Sequence, residues 1–86
     1  PFRYISPKAK IHILIVPKIH IPSFAALSPD QFSIVSNMIK VAQKIAIEQK
    51  IEIGYRLVFN SGPDSGQEVD HIHLHLLGGN RLGAIA

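Results

Sequence analysis

The seven residues His71-Ile72-His73-Leu74-His75-Leu76-Leu77 restrict the fold more than any other stretch of this chain. Histidine alternates with branched apolar residues, and Gly78-Gly79 closes the run. A period of two is the signature of a half-buried strand, because successive side chains point to opposite faces. Ile72, Leu74 and Leu76 are therefore assigned to a core, and His71, His73 and His75 to the other face. Imidazole titrates near neutral pH, so protonating one ring resists protonation of the next. Three rings on one face suit an anion, a metal or a proton-transfer reaction.

The rest of the chain supplies strands and a helix to pack against that run. Phe2 to Ile5 reads as a short strand and Lys10 to Val16 as a firmer one. In the second, Ile11, Ile13 and Ile15 take the core face, while Lys10, His12, Leu14 and Val16 take the other. Pro17 ends it, since proline cannot donate into the ladder. Ser28-Pro29-Asp30-Gln31 is a helix start, with Ser28 and Gln31 forming a capping box and Pro29 in the first turn. The helix is expected to run to about Gln49. It carries two apolar stripes, Phe32, Val35, Ile39, Ala42, Ala46 and Ile34, Met38, Val41, Ile45. Two stripes are wider than a single sheet contact needs. Either the helix is sunk in its own core, or one stripe meets a second subunit. Tyr55 to Asn60 is a further strand with Tyr55, Leu57 and Phe59 facing the core. Ser61 to Gln67 is a loop by composition. His20 sits in a loop-like stretch and reads as structural. The expected architecture is α+β, an antiparallel sheet of about four strands covered by one long helix.

Composition narrows the function classes. The chain has 86 residues, 47% of them hydrophobic and only 17% charged, which is the make-up of one packed domain. It holds no cysteine, so a disulfide framework or thiolate site within it is excluded. The net charge of +3 mildly favours anionic ligands. The lysines are scattered and form no nucleic-acid patch. No apolar run is long enough to span a bilayer and no secretory signal is visible, so neither a membrane nor a nucleic acid is an expected partner and a cytoplasmic address is expected. The chain opens on Pro1 rather than methionine and stops at Ala86, soon after the histidine strand. A segment of a longer protein is the expectation.

If the strand carrying His12 shares the sheet with the triad strand, four imidazoles gather on one surface. Asn60 leaves its strand at the same end, and Gly66 lies in a loop where small residues let backbone N–H groups approach a phosphate. With these residues the chain resembles the histidine triad superfamily. His71 to Leu77 match every position of its His-φ-His-φ-His-φ-φ motif, where φ is apolar. The likeness extends through Ile5-Ser6-Pro7, His12, Pro17 to Ile21, Gly66 to Val69 and Leu77-Gly78-Gly79, which look like the Hint branch.

That resemblance implies a homodimer, joined through the helix, that hydrolyses purine nucleoside phosphoramidates. It makes His73 the nucleophile, attacking the α-phosphorus to form a nucleotidyl-imidazole that water then releases. It gives His75 the phosphate and proton transfer, makes His71 orient His73, and has His12 support the cluster. Asn60, Gly66, Gln67 and Glu68 would contact the ribose-phosphate, and Phe2, Ile5 and Leu14 would wall the base. Tyr4 stands where many Hint proteins carry an aspartate that grips the ribose, and Asp70 where an aromatic or apolar residue is usual. Neither a metal nor a cofactor is expected. The N-terminal helix and first strands of the family, and its C-terminal tail, would lie outside this chain. Alternatives are a nucleotide-binding or scaffolding protein with incidental activity, and a histidine-based zinc site.

Overall fold

The computed structural model describes residues 9–85. Its elements are β1 (Ile11–Ile15), α1 (Phe32–Glu48), β2 (Tyr55–Phe59) and β3 (Leu74–Gly78). The expected strand at Phe2 to Ile5 lies outside the described residues. The three described strands form one antiparallel sheet in the order β1-β3-β2, so the histidine strand is central. No described helix is long and apolar enough to cross a membrane.

Register explains why one face is apolar throughout. Ile13 and Leu57 both lie opposite Leu76, and Ile15 and Phe59 both lie opposite Leu74. Cross-strand partners share a face, so the odd-numbered residues of β1 and β2 join the even-numbered residues of β3. Helix α1 packs on that face. Leu74 and Leu76 are fully buried, with Ile15, Met38, Ala42, Ala46 and Ile51 around them. A second cluster of Ile21, Val35 and Ile72 continues the core past the end of the ladder, and Ile34 and Phe59 pack against both.

The helix begins as read. Ser28 N–H donates to Gln31 Oε1 at 3.0 Å, the return half of the capping box. Pro29–Gln31 forms a single 3-10 turn before the α-helix proper. The buried stripe is Val35, Met38, Ala42 and Ala46, which combines members of the two expected stripes. Phe32, Ile39 and Val41 stay exposed. The reason is geometric: a straight helix on a twisted sheet of three strands touches it along one line. The same limit corrects β2, where Tyr55 and Leu57 share the core face yet are exposed, and only Phe59 reaches the core. At its C-terminus α1 closes with Ile51 N–H to the Ala46 carbonyl and Lys50 N–H to the Ile47 carbonyl, at 2.9 and 3.0 Å. This leaves Lys50 at φ +60°, a position that favours glycine.

The triad run is not a ladder along its whole length. Pairing starts at Leu74, while His71 to His73 precede the strand without sheet partners. Ile72 N–H donates instead to the Ile21 carbonyl at 2.7 Å. The inward-outward alternation nevertheless persists from His71 to Gly78.

Candidate active site

The face opposite α1 is built from the remaining parity. Leu14 and Val58 flank His75, and His12 and Arg56 flank Leu77. His71, His73 and His75 all project from this face into a cleft of about 440 Å³ lined also by Leu14, Val16, Asn60, Gly66, Glu68 and Val69. The histidine rings are half-buried, so they are reachable yet partly desolvated.

Each ring is held by a specific partner. His73 Nδ1 lies 2.8 Å from the His71 carbonyl oxygen. A carbonyl only accepts, so Nδ1 carries the hydrogen and donates, and in the neutral ring Nε2 keeps its lone pair. His71 Nε2 donates to the Pro17 carbonyl at 3.1 Å by the same logic. His20 is exposed and sets its ring edge-on against His71, with centroids 5.1 Å apart. His12 Nε2 and His75 Nδ1 are 2.8 Å apart and share one hydrogen. If His12 donates it, His75 carries its own hydrogen on Nε2. That Nε2 is buried and has no hydrogen-bond partner among the described residues. An unpaired buried polar atom costs roughly 1–3 kcal/mol.

Burial shifts this inner pair toward the neutral form. Burial lowers the His75 pKa below its ordinary 6.5, and the neighbouring His73 and His12 lower it further. Burial also lowers His12. The His73 and His75 rings meet edge-on at an interplanar angle of 64° with centroids 4.9 Å apart, close enough for both to touch one phosphoryl group. Their Nδ1 atoms are committed to the His71 carbonyl and to His12, and among the described residues no trio of histidine or acidic side chains converges as metal ligands.

Most of the expected site residues converge here. Leu14, Asn60, Gly66, Glu68, His71, His73 and His75 line the cleft, and His12 stands behind His75. Gln67 is the exception. Its Oε1 accepts from Gly62 N–H at 2.7 Å, and its Nε2 donates to the Pro22 and Val69 carbonyls at 2.7 and 2.9 Å. Its side chain therefore shapes the loop and does not line the cleft. Gly66, at φ +92°, lets that loop fold back on Gly62. Asp70 is exposed and off the cleft, as its parity implies. Phe2, Tyr4 and Ile5 lie outside the described residues. Val16 and Val69 line the cleft without having been singled out as site residues. The signal for Val16 was present, since it shares the parity of His12 and Leu14.

A run that enters the central strand of a sheet, turning its apolar side chains to the core and three histidines to an open cleft, defines the histidine triad class of proteins. Comparison with known proteins agrees. The HIT domain family model matches residues 1–82, and the chain belongs to this family. It is similar to the purine nucleoside phosphoramidase of Escherichia coli (strain K12), 52% identical over 83 residues that make up 95% of this chain and 70% of the relative. It is also similar to an uncharacterized HIT-like protein of Chlamydia muridarum, 48% identical, of whose length it spans 64%. Among solved structures, a HIT family hydrolase from Legionella pneumophila superposes with a TM-score of 0.88 at 44% identity, covering 98% of this chain and 76% of that one. A histidine triad protein from Clostridium difficile gives the same TM-score at 40% identity, covering 99% and 75%.

Proposed function

We propose that the chain is the catalytic part of a hydrolase that cleaves nucleoside phosphoramidates and related nucleotidyl conjugates, with purine nucleotides as the preferred class. The observation that carries this reading is the His73 ring. The His71 carbonyl fixes its hydrogen on Nδ1, which leaves the Nε2 lone pair for the cleft. In the proposed reaction that nitrogen attacks the α-phosphorus and a P–N bond to the substrate amine breaks. The amine departs with the bond electrons and takes up a proton from solvent. The resulting nucleotidyl-imidazolium keeps its Nδ1–H on the His71 carbonyl, which stabilises the developing positive charge. Water then attacks phosphorus and gives up a proton to solvent, the Nε2–P bond breaks with its electrons returning to the ring, and the nucleoside monophosphate leaves with His73 restored.

In this reading His75 meets the phosphoryl oxygen through Nε2, which has no partner among the described residues and carries the hydrogen when His12 donates to Nδ1. Asn60 adds an amide to the same cleft. Donors of this kind match charge that builds on phosphoryl oxygens during transfer. Leu14, Val16 and Val69 give an apolar wall for a base. The reading takes residues 1–86 as one domain and includes a homodimer through α1, supported by the exposed Phe32, Ile39 and Val41.

The test is turnover of adenosine monophosphate linked to a simple amine. The wild-type chain hydrolyses it, and His73→Ala loses the activity while its circular dichroism is unchanged. Normal turnover by His73→Ala rules out the reading.

A further inference from the structure

His71 to His73 have no strand beside them, so something other than the sheet sets the position of the His73 ring. One peptide unit is central to this. Its carbonyl, from His71, accepts from His73 Nδ1 at 2.8 Å. Its N–H, from Ile72, donates to the Ile21 carbonyl at 2.7 Å. A planar trans peptide sends these two groups in opposite directions, so anchoring the N–H aims the carbonyl. The anchor lies in the connection between β1 and α1. Ile21 is buried there against Val35 and Ile72, and the next residue, Pro22, is held by Gln67.

The Gln67 carboxamide has one acceptor and two donor hydrogens, and all three are engaged. Oε1 accepts from Gly62 N–H at 2.7 Å, and Nε2 donates to the Pro22 and Val69 carbonyls at 2.7 and 2.9 Å. The Val69 carbonyl also accepts the His71 N–H, at 2.8 Å. One side chain thus ties the residue after Ile21 to the turn that leads into His71. These are the two flanks of the peptide that aims at His73. We infer that Gln67 is a positioning residue for the His73 reaction, bracing the unpaired half of the triad run through Pro22 and Val69. This rests on the hydrolase reading above and deepens it. It gives the Gln67 side chain a task other than the ribose-phosphate contact that family likeness implies. Gln67 touches no reacting atom in this role. Without the brace the His71 peptide rocks, its hold on Nδ1 loosens, and the lone pair is no longer confined to Nε2. Misalignment of that kind weakens attack at phosphorus more than it weakens substrate binding.

The experiment compares the wild-type chain with Gln67→Met, which removes both donors, and with Gln67→Glu, which removes them but keeps the acceptor for Gly62. Two readouts are taken: turnover of adenosine monophosphate linked to a simple amine, and nitrogen-15 NMR of the His73 ring without substrate. In both variants kcat, read at saturating substrate, falls roughly tenfold to a hundredfold, and in Gln67→Met KM stays within about twofold of wild type. The His73 ring passes from the Nδ1–H form to a mixture of tautomers. Gly79→Ala, at the other end of β3, changes neither readout. Wild-type kcat in either variant overturns the inference, as does a rise in KM alone, which would return Gln67 to the substrate. A fall in kcat with the His73 tautomer unchanged also overturns it. If Gln67→Met does not fold, Gln67→Glu decides. Failure of the wild type to cleave the conjugate overturns the hydrolase reading itself, and the tautomer spectrum then decides the brace alone.

Discussion

Leu74 and His75 are neighbours in sequence, yet they belong to regions with opposite physical demands. Leu74 is wholly buried beneath α1, among side chains that carry no polar group. His75 is half-exposed on the other face, its ring nitrogens spoken for by His12 on one side and by nothing among the described residues on the other. The helix face is stabilised by burial of apolar area, which is non-directional and indifferent to pH. The histidine face is organised by directed hydrogen bonds, each of which sets a tautomer. One strand serves both because its pleat separates them by a single residue. The lesson is that stability and chemistry should be separable by mutation on alternate residues of β3.

The largest effect expected from that separation is on rate. His73→Ala should reduce turnover of an adenosine phosphoramidate by about four orders of magnitude or more, roughly 5 kcal/mol in the barrier. Its thermal unfolding midpoint should stay close to wild type, since the ring is not part of the core; a calorimetric scan beside the rate assay checks both. Next comes Leu74→Ala, one residue away, which should cost about 2–5 kcal/mol of stability through the cavity it leaves. Urea titration measures this, and the fraction that remains folded should still turn over substrate. A smaller cost belongs to Gly79→Ala. Gly79 sits at φ +89°, and an added Cβ would meet Ile11 Cγ1 at 3.0 Å. Its expected penalty is about 1–3 kcal/mol, with no change in the His73 reaction.

The pH dependence belongs to the histidine face. His75 and His12 are depressed in the folded chain, so below their ordinary 6.5 the unfolded chain binds protons that the folded rings refuse. Stability is therefore complete above that value and falls with pH through it, until the pH drops below the lowered folded values. Urea midpoints at about pH 7.5 and about pH 5.5 should show the decline, and His12→Gln with His75→Gln should flatten it. The smallest effect is a gain. Lys50→Gly relieves a left-handed residue at the end of α1 and should add about 0.5 kcal/mol without altering turnover.

How much of this was legible beforehand depends on whether the signal was local. The alternation at His71 to Leu77 and the Ser28-Gln31 capping box are written in adjacent residues, and both stand in the structure. The family resemblance was likewise carried by contiguous motifs. Register was not local. That Ile15 and Phe59 both oppose Leu74 follows from how three separate strands align, and no single segment states it. The two helix stripes were each read whole, yet the sheet selects one line across both. Gln67 shows the same limit at the site. Its position beside Gly66 suggested a ligand contact, but its amide is used up by Gly62, Pro22 and Val69, one of them far away in the chain. The tautomer of His73 could not be read either, because it depends on a backbone carbonyl that turns toward the ring only in the folded chain.

In the proposed reaction the middle ring of the triad takes up the nucleotide through nitrogen. Rapid acid-free quenching during turnover, followed by peptide mass analysis, tests it most directly. The predicted result is a nucleoside monophosphoryl group on His73 alone, appearing and decaying at the rate of turnover. Full turnover with no such adduct, or an adduct on His71 or His75 instead, would contradict it.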